Sequence, residues 1–187
     1  MLRITVQMIL QGETLVIATD RLNIWPIERQ DLNKNYQWAN DMELCHLSGA
    51  LPLPKPSSEI EGWFSNITAD PEIHTFSMKL KDGTHIGNIE IRDLDLRCGS
   101  CELGIIIGEK GQRHNGYGSE AVRALCAFCF KELRLHRIMV HVLSYNEAAF
   151  NMFCKCGFQL EGTMRQAFFY AGRHWDVRIL SLLNDNT

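Results

Sequence analysis

The chain has 187 residues, of which 45% are hydrophobic and 22% charged, with a formal charge of −3. That balance fits one globular domain with a sizeable core of its own and argues against nucleic acid as the main partner, which favours net basic surfaces. No run of 18 apolar residues occurs, so no membrane-spanning helix and no membrane partner are expected.

The opening "MLRITVQMIL" has Arg3 as its only basic residue and lacks a small-residue cleavage site. It does not read as a signal peptide, and the expected location is cytoplasmic. "RLNIWPI" (21–27) alternates like a strand and stops near Pro26. "ERQDLNKNYQWAND" then reads as a polar helix with Leu32, Tyr36 and Ala39 along one side. Three prolines follow in "LPLPKPSSEIEGWFSNI", ahead of a short helix capped by Ser58 and carrying Ile60, Trp63 and Phe64.

From residue 73 the pattern becomes sheet-like. "HTFSMKL" and "HIGNIEI" flank Asp82-Gly83, a hairpin signal of the type I′ kind. "CELGIIIGE" (101–109) is a continuous apolar run, which predicts a central strand buried on both faces. The next helix, starting near Ser119, puts Val122, Leu125, Cys126, Cys129, Phe130 and Leu133 on one stripe. "HRIMVHVL" (136–143) is another strand. Asn146 caps the helix of "NEAAFNMFCKCGF", Glu147 complements its dipole, and Gly157 fits its end. Two final strands, near 158–169 and 173–183, turn at Ala171-Gly172. The order predicts a mixed α/β sheet in a single domain.

The seven cysteines include Cys98/Cys101 and Cys126/Cys129, two pairs with zinc-like spacing. Because Cys126 and Cys129 lie within a helical pattern, the reading is buried thiols, with no metal and no disulfide.

The segment "EKGQRHNGYGSEAVRAL" (109–125) sets glycines against a helix start. Unpaired N–H groups and the macrodipole make such a start an anion site, and Gly116 and Gly118 allow close approach and positive φ. A phosphate or pyrophosphate is the expected ligand. The P-loop pattern fails because no Lys follows Gly118, and the Rossmann pattern fails on glycine spacing.

What fits is R-x-x-G-x-G, read as Arg113, Gly116 and Gly118 after "ELGIII". This resembles motif A of the GCN5-related N-acetyltransferase (GNAT) superfamily. "DRLNIWPI", with Trp25 at a usual Arg, resembles the family's opening strand. "LHRIMVHVLSYNEAAFNMFCKCGFQLEGTMR" and "GRHWDVRILSLL" resemble its later elements. Together these resemble the branch containing the ribosomal-protein N-terminal acetyltransferases. Residues 1–18 fall outside the resemblance as an extension of unassigned role (an edge strand, a dimer contact or a start-site extension), and 19–187 form the N-acetyltransferase domain.

The resemblance implies the GNAT fold, a central, mostly antiparallel, splayed sheet flanked by helices, and direct acetyl transfer from acetyl-CoA to a primary amine, on a protein N-terminus or a small molecule. Homodimers are common among such proteins. The co-substrate would be held by Ile105, Ile106 and Ile107, whose strand edge can pair with the pantetheine arm, and by Arg113, His114, Asn115, Gly116, Tyr117, Gly118 and Ser119 at the diphosphate. A backbone N–H near Ile105 or Ile106 would meet developing negative charge. Asn146 matches a cofactor-contacting Asn of the family and also reads as a plain N-cap.

Glu102 matches a glutamate general base of some members, with desolvation raising its basicity; a solvated or Arg-paired carboxylate is the other reading. The family's acid, a Tyr, is replaced by Phe153, so Ser144, Tyr145 or water would protonate the thiolate. His136 and His141 read as packed or capping residues. Trp38, Trp63, Phe64, Phe168, Phe169 and Tyr170 fall where the acceptor pocket is expected, without a dense acidic cluster, which disfavours a polyamine. A non-catalytic coenzyme A-binding protein and a zinc-stabilised module are the rival readings.

Overall fold

The computed structural model describes residues 7–11 and 14–184. Nine strands form one sheet: β1 (Gln7–Gln11), β2 (Thr14–Ala18), β3 (Leu22–Pro26), β4 (His74–Leu80), β5 (His85–Asp95), β6 (Ser100–Ile107), β7 (Arg137–Leu143), β8 (Gln159–Tyr170) and β9 (Arg173–Leu183). Their spatial order is β1-β2-β3-β4-β5-β6-β7-β9-β8, and every pairing is antiparallel except β6–β7. This is a mostly antiparallel sheet with one parallel pair, as the resemblance implies. Residues 7–11 and 14–18, in the segment whose role the sequence left open, supply its first two strands.

Five α-helices cover the sheet: α1 (Leu32–Ala39), α2 (Met42–Ser48), α3 (Ser57–Ala69), α4 (Tyr117–Lys131) and α5 (Glu147–Lys155). The α4 stripe Val122, Leu125, Cys126 and Cys129 seals the main core over Leu22, Met78, Ile89 and Leu103. Alternation then sends Thr75, Glu90 and Gly104, which share a row across β4, β5 and β6, to the opposite face under α1 and α3.

Several local expectations are corrected. The inner side of α1 is Leu32, Asn35 and Trp38, while Tyr36 is exposed. Trp38 lies flat over Gly108, where a Cβ would come within 2.1 Å of the indole. Ser58 sits inside α3 and does not cap it; the cap position is Pro56. The β4–β5 turn has positive φ at Gly83 but not at Asp82, so its N–H, bonded to the Leu80 carbonyl at 2.9 Å, closes a turn that is not type I′. Helix α2 was not anticipated, although both its ends were written in the sequence. Asp41 Oδ1 accepts from the Glu43 and Leu44 N–H groups, and Gly49 ends the helix at φ 75°.

Candidate active site

Strand β6 pairs in parallel with β7 only from Ser100 to Glu102, opposite Arg137 to Met139. Beyond Glu102 the strands part, and a cleft of about 170 Å³ opens between Leu103–Ile106 and Val142–Leu143, floored by Phe153. One edge of residues 103–107 is thus left with amide groups unmatched by β7 among the described residues, a docking edge for an extended amide-bearing chain. A second cavity of about 430 Å³ lies between α1, α3 and the sheet, with Trp38, Trp63, Ile60 and Asn88 in its walls. The two share Ser48, Glu90, Gly104, Ile105 and Ile106.

Three charged or titratable groups, Glu90, Arg92 and His141, line the cleft, and Glu102 behind them ties Arg92 to His141. Glu90 lies opposite Gly104 in the β5–β6 register, and a Cβ on Gly104 would come within 2.6 Å of its Oε1. Burial pushes the Glu90 carboxyl above its ordinary range, while Arg92 and a long hydrogen bond from Thr75 pull the other way. Arg92 bridges Glu90 at 3.3 Å and Glu102 at 2.7 Å. The second Glu102 oxygen meets His141 Nδ1 at 2.9 Å. An ionised carboxylate only accepts, so Nδ1 carries the hydrogen and Nε2 is left for other work.

At the far end of β6 the loop turns into α4. His114 (φ 63°) and Gly116 (φ 83°) are left-handed, and Gly116 is the helix N-cap, without a side-chain cap bond. Left-handed residues in a loop leading to a helix gather successive N–H groups on one side, the geometry of anion-binding nests. Arg21 braces this loop. It donates to the Asn115 carbonyl at 2.9 Å, stacks over Tyr117 at 4.5 Å and pairs with buried Glu120 at 2.6 Å. Burial alone would raise the Glu120 carboxyl, but bonds from Thr19 and Arg21 outweigh it and hold it low.

The sequence-derived residues separate into groups. Ile105 and Ile106 line the cleft, while the Ile107 carbonyl accepts from Arg113 Nε at 3.1 Å. Arg113 is nearly buried and is engaged by Ile107, Gly108 and Glu43, so its guanidinium braces the loop where a free phosphate donor was expected. His114, Asn115, Gly116, Tyr117, Gly118 and Ser119 form the loop and first turn of α4; Gly118 is helical, without positive φ. Asn146 lines the cleft but spends its amide locally, accepting from the Ala149 N–H and donating to the Leu47 carbonyl.

Glu102 is paired with Arg92 and His141, the engaged form of its two readings, and is not among the residues that line either cavity. Ser144 is at the end of β7 with its N–H on the Asp176 carbonyl, outside the residues that line the cleft. Tyr145 donates to the His46 carbonyl at 2.6 Å, and burial pushes its phenol up to about 12, which makes it a poor acid at neutral pH. Of the aromatic residues, Trp38 and Trp63 line the larger cavity, whereas Phe168 and Tyr170 pack against the end of α2.

Sequence reasoning missed Glu90, Arg92 and the role of His141. The available signal was the opposite phase of "HIGNIEIR": with Ile89 and Ile91 turned to the core, Glu90 and Arg92 had to share the other, helix-covered face. Among the described residues, no group of three or more His, Cys, Asp or Glu is arranged to hold a metal ion. Cys126 and Cys129 are buried, and burial pushes the Cys126 thiol upward.

Residues 21–159 match the acetyltransferase (GNAT) domain family. The chain belongs to the GNAT acetyltransferases. It is an N-acetyltransferase. An uncharacterised N-acetyltransferase p20 of Bacillus licheniformis is 27% identical over 89% of this chain and 95% of its own. Spermidine N(1)-acetyltransferase of Vibrio cholerae is 27% identical over 87% of this chain and 93% of its own. A crystal structure of the Vibrio cholerae spermidine N-acetyltransferase, in complex with CoA and spermine, superposes with a TM-score of 0.81 at 25% identity, covering 87% of this chain and 95% of that one. These relatives do not single out the ribosomal-protein branch that the sequence resembled; the superfamily is the level at which the assignment stands.

Proposed function

We propose that this GNAT protein moves an acetyl group from acetyl-CoA directly to a primary amine of a small molecule. One observation carries the reading: the cleft along the free edge of β6 and the cavity under α1 and α3 meet at Glu90 and Gly104. Two reactants entering from opposite sides would be held face to face there, which removes much of the entropic cost of their encounter. The relatives named for spermidine favour a small-molecule acceptor over a protein N-terminus.

The residues divide the work. The loop from His114 to Ser119 and the start of α4 would hold the diphosphate, and the free edge of residues 103–107 the pantetheine amides. A β6 N–H facing the cleft would meet the negative charge that develops on the carbonyl oxygen. Glu90 accepts the proton that the amine loses as its nitrogen bonds to the acetyl carbon. Its carboxyl is raised toward useful basicity by burial, and the absent side chain of Gly104 leaves it room. As the carbon–sulfur bond breaks, His141 in its imidazolium form gives the Nε2 proton to sulfur and is left neutral, with Nδ1–H still fixed on Glu102. Glu102, the expected base, thereby becomes the positioning residue of an imidazole acid. Of the titratable groups lining the cleft, Arg92 does not release its proton and Glu90 is the base, which leaves His141 in the place of the missing tyrosine.

The test is coenzyme A release from acetyl-CoA against amines, with mass measurement of the product. An N-acetylated amine with wild-type protein, and loss of turnover with retained acetyl-CoA binding in Glu90→Gln, supports the reading. Tight acetyl-CoA binding with no acetylated product from any amine refutes it.

A further inference from the structure

The larger cavity identifies the class of acceptor, an inference that rests on the acetyl transfer proposed above. Among the residues lining it, only Glu59, Glu90 and Lys55 carry charge. Lys55 Nζ is bonded to Glu59 at 2.5 Å at the rim, so that pair contributes no net charge. Glu90 lies at the inner end, at the junction with the cleft, with Arg92 beside it.

The helices that roof the cavity offer nothing further. Glu43, Glu59 and Glu61 are the only carboxylates carried by α1, α2 and α3. Each is tied to a cation: Glu43 to Lys110 and Arg113, Glu59 to Lys55, and Glu61 to Arg29. Asp31, ahead of α1, is held by Lys79 at 2.9 Å. Neutral polar groups are also spent: Asn88 donates to Asn35, the Ser48 hydroxyl to the Leu44 carbonyl and the Thr75 hydroxyl to Glu90. The remaining wall is apolar, with the Trp38 and Trp63 rings, Leu44 and Ile60.

A polyamine brings two or more ammonium groups besides the one that reacts, and each needs a carboxylate when it leaves water. An amine on an apolar body needs one carboxylate at the reacting end and an apolar wall behind it. We infer that the acceptor is a monoamine whose amine reaches Glu90 and whose hydrophobic, flat or extended body lies between α1, α3 and Ile106, and that polyamines are poor substrates.

The experiment compares kcat/KM, by coenzyme A release, for 2-phenylethylamine and hexylamine against spermidine and spermine. The inference expects the monoamines to lead by at least about ten-fold. Lys55→Glu removes the rim cation and sets a second carboxylate beside Glu59. It is expected to raise the ratio of spermidine to 2-phenylethylamine kcat/KM about ten-fold. Lys55 makes its backbone bond to Asn40 through its N–H, so the substitution spares that anchor; a melting curve and acetyl-CoA binding check the fold. Equal or better use of spermidine by the wild-type protein overturns the inference and leaves acetyl transfer standing. Turnover of neither class overturns the inference, and acetyl transfer falls with it when no other amine yields product either.

Discussion

The Glu90 carboxylate occupies the space that a side chain on Gly104 would take, one strand over, with Oε1 2.6 Å from that missing Cβ. A carboxylate and a glycine in register across β5 and β6 therefore define the point where the two cavities join. Gly104→Ala should displace Glu90, because Cγ as well as Oε1 lies within 3 Å of the new methyl. Turnover is expected to fall by about 10- to 100-fold, less than the roughly 10²- to 10⁴-fold loss of Glu90→Gln, since the base is moved and not removed. Acetyl-CoA affinity, measured by calorimetry, should change little in either variant.

The raised Glu90 carboxyl gives a signed pH dependence. A base acts when ionised, so log kcat/KM should climb with pH through a value above the ordinary carboxylate range, and Glu90→Gln should lose that limb. Stability runs the other way. A carboxyl whose folded value is raised contributes stability fully below its unfolded value, and that contribution fades as pH rises through the folded one. Glu90→Gln is thus expected to melt at or above the wild-type temperature at pH 8, with activity lost. A clear drop in melting temperature there would mean that Glu90 acts mainly as a structural partner of Arg92.

The Glu102–His141 contact at 2.9 Å predicts a dependence on the leaving group. His141→Gln is expected to slow transfer from acetyl-CoA by about 10²-fold. With an acetyl donor whose thiol is far more acidic, such as a thiophenyl acetate, the deficit should shrink, because a good leaving group needs no proton. Glu102→Gln should give a smaller deficit with the same donor dependence, the sign of a residue acting through the imidazole. An equal deficit with both donors would remove His141 from the thiol's protonation.

Much of this architecture was written in the sequence, but not the part that chooses the reactants. The β6 run "ELGIII", the Gly116 turn and the Asn146 cap are local signals, each set by a backbone requirement that few residue types meet. The groups proposed as base and acid are placed by register instead. The phase of β5 puts Glu90 on the helix-covered face, but only the register with β6 sets it opposite Gly104, and His141 faces the cleft because β7 parts from β6 just past Glu102. Arg113 shows the converse: its motif position was legible, yet its guanidinium is engaged by Glu43, whose helix lies some 70 residues earlier in the chain. Side-chain partners at such separations follow from packing, on which periodicity is silent.

The last prediction concerns the start of α4. Gly116 has φ 83°, and a Cβ there would also press on Arg21 Nη2 at 3.3 Å. Gly116→Ala should cost about 1–2 kcal/mol in the loop and weaken acetyl-CoA binding by about ten-fold, since the N–H groups it aims would turn away. Glu120→Gln attacks the same loop from below by leaving Arg21 without its buried partner, at an expected cost of about 1 kcal/mol because Arg21 stays half exposed to water. Because the Glu120 carboxyl is held low in the fold, its contribution is present above the unfolded value and is lost as pH falls through the folded one. The wild-type and Glu120→Gln melting temperatures should therefore differ at pH 7 and converge in acid. If they stay parallel down to pH 3, the Thr19–Arg21–Glu120 cluster is not what holds the loop against α4, and the binding defect of Gly116→Ala must come from the turn alone.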